Sequence, residues 1–154
     1  MEILKEGDKA PNFMGVDQNG EAISLNQYKG KKVVLYFYPK DNTPGCTAES
    51  CNLRDNYDDL LEKGLDVIGV SPDSEKSHKK FIEKHKLPFT LISDPEKEIL
   101  KLYNAWGEKK LYGRVYDGVL RKTFIISENQ TIEKIFVKVQ TKDHANQIFK
   151  DLKI

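Results

Sequence analysis

Tyr36-Phe37-Tyr38-Pro39-Lys40-Asp41-Asn42-Thr43-Pro44-Gly45-Cys46-Thr47-Ala48-Glu49-Ser50-Cys51 holds both cysteines of the chain, at the point where an apolar run gives way to a polar one. Residues 33–38 read as a buried strand, because the run is short, rich in β-branched and aromatic residues, and closed by Pro39. A helix is expected just beyond it. Thr43 suits the N-cap, Pro44 suits the first helical position, where its missing N–H would have no partner anyway, and acidic residues follow from Glu49. On that register Cys46 is the third helical residue. The first turn of a helix offers unpaired N–H groups and the positive end of the dipole, and both favour thiolate over thiol. Cys46 is therefore a candidate nucleophile. A side chain three residues past a Thr N-cap approaches that residue's backbone N–H and hydroxyl, as the acid of a capping box does, so Thr43 and Cys46 are expected to be neighbours.

Outward from this stretch, Asp17-Gln18-Asn19-Gly20 contains an Asn-Gly pair that predicts a small N-terminal hairpin between residues 13–16 and 22–25. After Cys46 the helix is expected to run to Gly64, burying Leu53, Tyr57, Leu60 and Leu61 on one face. Cys46 lies on that face, seven residues before Leu53, and so points toward the sheet. Residues 65–70 give a second buried strand, 75–85 a helix and 89–92 a third strand. Asp94-Pro95 caps a further helix whose stripe is Ile99, Leu100, Tyr103 and Trp106. This alternation implies parallel strands covered by helices. The chain then changes character: residues 122–126 and 131–137 form an antiparallel hairpin around Ser127-Glu128-Asn129-Gln130. A last helix from about residue 142 buries Ala145, Ile148, Phe149 and Leu152.

The 154 residues match the length of one domain, 1–154, with enough chain to bury a sizeable core. The 25 Lys and Arg nearly balance the 24 Asp and Glu, so no net basic field argues for nucleic acid or anionic lipid as a partner. The N-terminus lacks the apolar core of a secretory signal and no run is long enough to span a bilayer, which points to the cytoplasm. Two cysteines are too few for a disulfide scaffold; in a reducing compartment such a pair is catalytic more often than structural.

Pro39-x-x-x-Thr43-x-x-Cys46 resembles the active-site signature of the peroxiredoxins. With Cys51 five residues on, the wider stretch is similar to the Q-type subgroup, also called bacterioferritin comigratory proteins. The resemblance extends from Gly7-Asp8-Lys9-Ala10-Pro11-Asn12-Phe13, through Gly69-Val70-Ser71-Pro72-Asp73, to Gly118-Val119-Leu120-Arg121-Lys122-Thr123-Phe124. It implies a thioredoxin-like fold with a central mixed sheet flanked by helices; periodicity alone supports only α/β. It also implies a peroxidase that reduces hydrogen peroxide or organic hydroperoxides without metal, haem or flavin, is recycled by thioredoxin or a similar dithiol, and exists as a monomer or weak dimer. In the turn at 127–130 the family often has Asp or Asn and a Gly, where this chain has Ser127-Glu128-Asn129-Gln130.

On that resemblance Cys46 attacks the distal peroxide oxygen and becomes a sulfenic acid. Pro39 shields the sulfur, although its ring also explains a plain strand stop. The Thr43 hydroxyl bonds the thiolate and the peroxide, and Arg121 lies beside the cysteine as a cation that cannot be titrated away. Arg54 and Arg114 compete for that role. Glu49 matches an acidic position of the subgroup, but an exposed helical Glu near an N-terminus has the same appearance, and it stays outside the candidate set. Cys51 is implied as the resolving cysteine. Five residues of ideal helix separate two Cα atoms by roughly 8 to 9 Å, whereas disulfides want about 4.4 to 6.8 Å. Closing a Cys46–Cys51 bond therefore requires residues 43–52 to unwind.

Metal binding finds little support, since the two cysteines lack zinc-ligand spacing and His78, His85 and His144 are scattered. They read as partly buried or surface histidines. Two other functions share the sequence features, a noncatalytic thioredoxin-fold interaction module and a general disulfide oxidoreductase; the latter favours Cys-x-x-Cys, and here four residues separate the cysteines.

Overall fold

The computed structural model describes residues 3–154; Met1 and Glu2, at the head of the stretch read for a leader, lie outside them. In chain order come β1 (Met14–Asp17), β2 (Ala22–Ser24), β3 (Lys32–Phe37), α1 (Pro44–Asp55), α2 (Tyr57–Glu62), β4 (Leu65–Ser71) and α3 (Glu75–His85). There follow β5 (Thr90–Ser93), α4 (Glu98–Leu102), β6 (Trp106–Leu111), β7 (Arg114–Val119), β8 (Lys122–Ile126), β9 (Ile132–Phe136) and α5 (His144–Leu152).

Seven strands make one mixed sheet in the order β2-β1-β5-β4-β3-β8-β9. The β3–β4 and β4–β5 pairs are parallel, while β8 runs antiparallel to β3 and β9 antiparallel to β8. This is the mixed α/β architecture expected from the sequence. The N-terminal hairpin is present too, and it extends the sheet, because β1 pairs with β5.

β3 reads as an unbroken apolar run because both of its faces are covered. Val33, Leu35 and Phe37 enter a core with Phe13, Tyr103, Phe124 and Ile126. Val34, Tyr36 and Tyr38 enter a second core on the opposite face, with Cys46, Leu53, Leu60 and Phe81. The sequence around Cys46 thus belongs to a packed layer, and α1 is pressed against the sheet by Cys46 and Leu53.

Three expectations are corrected. The helix after Cys46 is interrupted at Asn56, whose φ of −111° and ψ of 13° depart from helix and whose side-chain amide donates to the Asn52 carbonyl at 2.8 Å. The rotation this introduces leaves Leu61 44% exposed while Leu53 and Leu60 stay buried. The helix after Asp94 stops at Leu102, because Asn104 takes a left-handed φ of 59°. Trp106 therefore opens β6, and β6 and β7 form a separate two-stranded hairpin that the sequence reading did not anticipate. At the turn between β8 and β9, Gln130 itself takes the left-handed conformation, φ 63°, that most often calls for glycine. Its buried amide donates to the Leu25 carbonyl at 2.6 Å, an anchor that a glycine could not supply.

Gly69 in β4 is set by close approach. A Cβ there would lie 2.7 Å from Leu91 Cδ2 and 2.8 Å from Tyr36 Cζ, and both neighbours are fully buried. Gly69→Ala is expected to destabilise the fold by about 1–3 kcal/mol through overpacking, read as a lower urea midpoint; an unchanged midpoint would contradict this packing.

Candidate active site

Thr43 occupies the N-cap of α1 in extended backbone, φ −81° and ψ 153°, with Pro44 at the first helical position. Cys46 is then the third helical residue, as expected, and it is 1% exposed. The Thr43 hydroxyl makes no side-chain cap; it donates to the Lys40 carbonyl at 2.8 Å. That bond leaves oxygen lone pairs of Thr43 available, and Thr43 holds the N-cap position without a side-chain cap.

The loop that carries Pro39 and Thr43 is fastened from below. Tyr38 donates from its hydroxyl to Asp41 Oδ1 at 2.6 Å, and Asp41 Oδ2 lies 2.8 Å from His78 Nδ1 and accepts from the Ser77 hydroxyl, also at 2.8 Å. The Asp41 backbone N–H donates to Asp73 Oδ2 at 2.8 Å. Burial alone would push the Asp41 carboxyl up, but the bonds from His78, Tyr38 and Ser77 outweigh it and hold the group below its ordinary value. Asp41, Asp73 and His78 are spaced as metal ligands could be. Their polar atoms are already committed: His78 Nε2 lies 3.0 Å from the Ile92 carbonyl, and Asp73 Oδ2 accepts from both Ser71 and the Asp41 N–H. The donor set is a satisfied network that fixes the loop, and it does not fit an ion.

Arg121, between β7 and β8, reaches across the start of α1. Its Nη2 donates to Cys46 Sγ at 3.2 Å and its Nη1 to Glu49 Oε1 at 2.6 Å. The backbone opens a lane for it at Gly45, where a Cβ would lie 3.4 Å from Nη2. Burial works against the guanidinium charge, but Glu49 and Cys46 outweigh it and raise Arg121 above its usual value. The competing arginines are placed elsewhere: Arg54 bonds Asp55 and the His85 carbonyl, and Arg114 is exposed on β7.

Glu49 is the site residue that the sequence reading missed. It is fully buried, not exposed. Burial drives its carboxyl up to about 7 against the pull of Arg121. Its Oε2 has no hydrogen-bond partner among the described residues and lies 3.7 Å from His144 Nε2. His78 and His144 are likewise fully buried, which corrects their reading as partly buried or surface residues. The signals for Glu49 were its match to an acidic position of the subgroup and its spacing three residues after Cys46 on the inward face of α1.

Cys51 is partly buried and, like Cys46, a free thiol. Both sit in the unbroken α1, so a bond between them requires this helix to open. Three contacts hold it closed: Arg121 on Glu49, Tyr36 Oη against Ser50 Oγ at 2.8 Å, and Asn52, whose Oδ1 accepts from the Ala145 N–H at 2.8 Å and whose Nδ2 donates to the Lys142 carbonyl at 3.1 Å.

The AhpC/TSA family model matches residues 6–135. The chain is 47% identical over 148 residues to a putative peroxiredoxin bcp of Haemophilus influenzae, covering 96% of each. It is 42% identical over 153 residues to peroxiredoxin Bcp of Escherichia coli K12, covering 99% of this chain and 98% of that one. Its fold matches the bacterioferritin comigratory protein of Xanthomonas campestris, solved as trapped intermediate and ligand complexes bearing on alkyl peroxide reduction. The TM-score is 0.85 at 32% identity, over 92% of this chain and 90% of that one. Fold and relatives together define a thiol-dependent peroxidase built on a thioredoxin-like core. The chain belongs to the AhpC/TSA family, in its peroxiredoxin Bcp, or Q-type, group. No helix among the described residues is long and apolar enough to cross a membrane.

The buried carboxyl gives stability a signed pH dependence. Glu49 holds its proton up to about 7 in the fold against an ordinary 4.5, so its contribution is complete below pH 4.5 and is lost as pH rises through 7. The urea-midpoint advantage of the wild type over Glu49→Gln should therefore shrink steadily from pH 4.5 to pH 8, and a difference independent of pH would contradict the assignment.

Proposed function

We propose that Cys46 is the peroxidatic cysteine and Cys51 the resolving cysteine of this peroxidase. The observation that supports this best is the 3.2 Å contact between Arg121 Nη2 and Cys46 Sγ at the start of α1. A guanidinium and the helix N-terminus both favour negative charge on that sulfur.

In the first step the Cys46 thiolate attacks the distal oxygen of a hydroperoxide. The S–O bond forms as the O–O bond breaks, and the leaving oxygen takes a proton to become water or an alcohol. The guanidinium, placed at the sulfur, also lies beside the oxygens on which charge develops. Thr43 bonds the incoming peroxide through its free lone pairs, and Pro39 keeps bulk water from the sulfur. In the second step α1 opens and the Cys51 sulfur attacks the sulfenic sulfur; the S–S bond forms and water leaves. A thioredoxin-type dithiol then reduces the disulfide. A cytoplasmic setting supplies such donors.

Hydrogen peroxide and organic hydroperoxides are both proposed substrates; the alkyl peroxide reduction of the Xanthomonas relative supports the latter.

Steady-state peroxide consumption with a thioredoxin system tests the assignment. Cys46→Ser should abolish it, Cys51→Ser should permit one turnover per chain and then stall, and Arg121→Ala should slow the first step about 10²–10³-fold. Undiminished consumption by Cys46→Ser would overturn the proposal.

A further inference from the structure

Beneath Arg121 lies a buried pair that the peroxidase steps above do not use. His144, the first residue of α5, is held on both ring nitrogens. Its Nδ1 lies 2.8 Å from Gln147 Oε1, and that amide is oriented by its own donation to the Lys138 carbonyl at 2.8 Å and by the Gln140 N–H, which reaches Oε1 at 3.0 Å. Gln147 Oε1 is thus an acceptor, and His144 Nδ1 must carry the hydrogen. Burial pushes the ring's basicity down, to about 4, so at neutral pH the other nitrogen bears a lone pair, to which the Thr123 hydroxyl donates at 2.8 Å.

That nitrogen lies 3.7 Å from Glu49 Oε2, and with no hydrogen of its own and its single lone pair taken by the Thr123 hydroxyl it gives Oε2 no donor; Glu49 Oε2 has no hydrogen-bond partner among the described residues. A carboxylate oxygen left without a donor in a fully buried site is disfavoured against the acid form. The charged and titratable groups around Glu49 are few: Arg121 from the β7–β8 turn, Cys46 from its own helix, His144 from α5, and the Tyr36 hydroxyl from β3. One guanidinium therefore serves two acids, Glu49 and Cys46.

We propose that His144 is a positioning residue for the peroxidase site: by setting a ring nitrogen that carries no hydrogen beside Glu49 Oε2 it denies that carboxylate a donor and keeps the group in its acid form, and so leaves the Arg121 charge to the Cys46 sulfur. When the sulfur is oxidised to the sulfenic acid or disulfide its negative charge disappears. Arg121 then acts on Glu49 alone, and Glu49–COOH becomes Glu49–COO⁻ with one proton released. That proton balances the one taken up by the leaving alkoxide or hydroxide. The inference rests on the reading of Cys46 as the peroxidatic sulfur.

The test uses the full chain in a Cys51→Ser background, measuring alkylation of Cys46 by iodoacetamide at pH 7. His144→Gln brings an amide N–H beside Glu49 Oε2 in place of the hydrogen-free ring nitrogen, ionises Glu49, and should slow alkylation about tenfold. Adding Glu49→Gln, which cannot ionise, should restore the parent rate. An unchanged rate in His144→Gln, or an equal loss with and without Glu49→Gln, would show that His144 only packs and would overturn the proposal. A second measurement needs no His144 variant. Carbon-13 NMR of the Glu49 carboxyl in the reduced wild type should show titration near 7, moving lower after one equivalent of hydrogen peroxide. An ordinary carboxylate titration in the reduced protein would overturn it as well. If peroxide consumption survives Cys46→Ser, it is the active-site reading that fails; if it requires Cys46 while Glu49 titrates ordinarily, only the role of His144 fails.

Discussion

A single guanidinium shared between a sulfur and a buried carboxyl is the constraint around which this molecule is built. Arg121 Nη2 meets Cys46 Sγ and Nη1 meets Glu49 Oε1. The arginine keeps 24% of its side chain exposed, so it forms the solvent edge of the site while Glu49 lies entirely inside. Taking away the guanidinium would leave the buried Glu49 carboxyl without its hydrogen-bond partner, a loss that costs more inside the fold than at the surface. The pairing also needs the sheet as observed. Only because β8 runs antiparallel beside β3 does the residue before β8 arrive at the end of β3, where α1 begins.

The same helix faces two opposing demands. To hold Cys46 against Arg121 it must be rigid, and Tyr36 on Ser50, Asn52 on the start of α5, and Arg121 on Glu49 make it so. For the proposed bond between Cys51 and Cys46 to close, it must open. Each hydrogen bond is worth only about 0.5–1.5 kcal/mol net, so a few such contacts are a barrier that can be crossed without unfolding the sheet. The loop before the helix is secured separately, through Asp41 and His78. Its position is thus independent of the contacts that opening α1 would break.

Much of this was legible in the sequence, for identifiable reasons. β3 and the start of α1 announced themselves because an apolar run covered on both faces, a proline and an N-cap residue are local signals. The hairpin β6–β7 stayed hidden: charged residues such as Glu108, Lys109, Lys110 and Asp117 interrupt both strands, and its turn is Tyr112-Gly113, not one of the common turn pairs. Asn56 gave no warning either, since the break it makes in the helix comes from a side-chain bond to the Asn52 carbonyl. Glu49, His78 and His144 were misread for one reason. A buried charged or titratable residue is recognised by its partners, and those partners, Arg121 and Thr123 among them, are distant in the chain. Arg121 itself was placed by family resemblance; nothing in its local sequence distinguishes it from a surface arginine at the start of a strand.

The central claim is that Arg121 makes one particular sulfur reactive. The most direct measurement exposes the chain to one equivalent of hydrogen peroxide with a sulfenic-acid-trapping dione present, then locates the adduct by peptide mass spectrometry in Cys51→Ser and in Cys51→Ser with Arg121→Ala. The account predicts an adduct on the peptide containing Cys46 in the first protein and little or none in the second. An adduct that forms equally well without Arg121, or the absence of any adduct at Cys46 in the first protein, would contradict it.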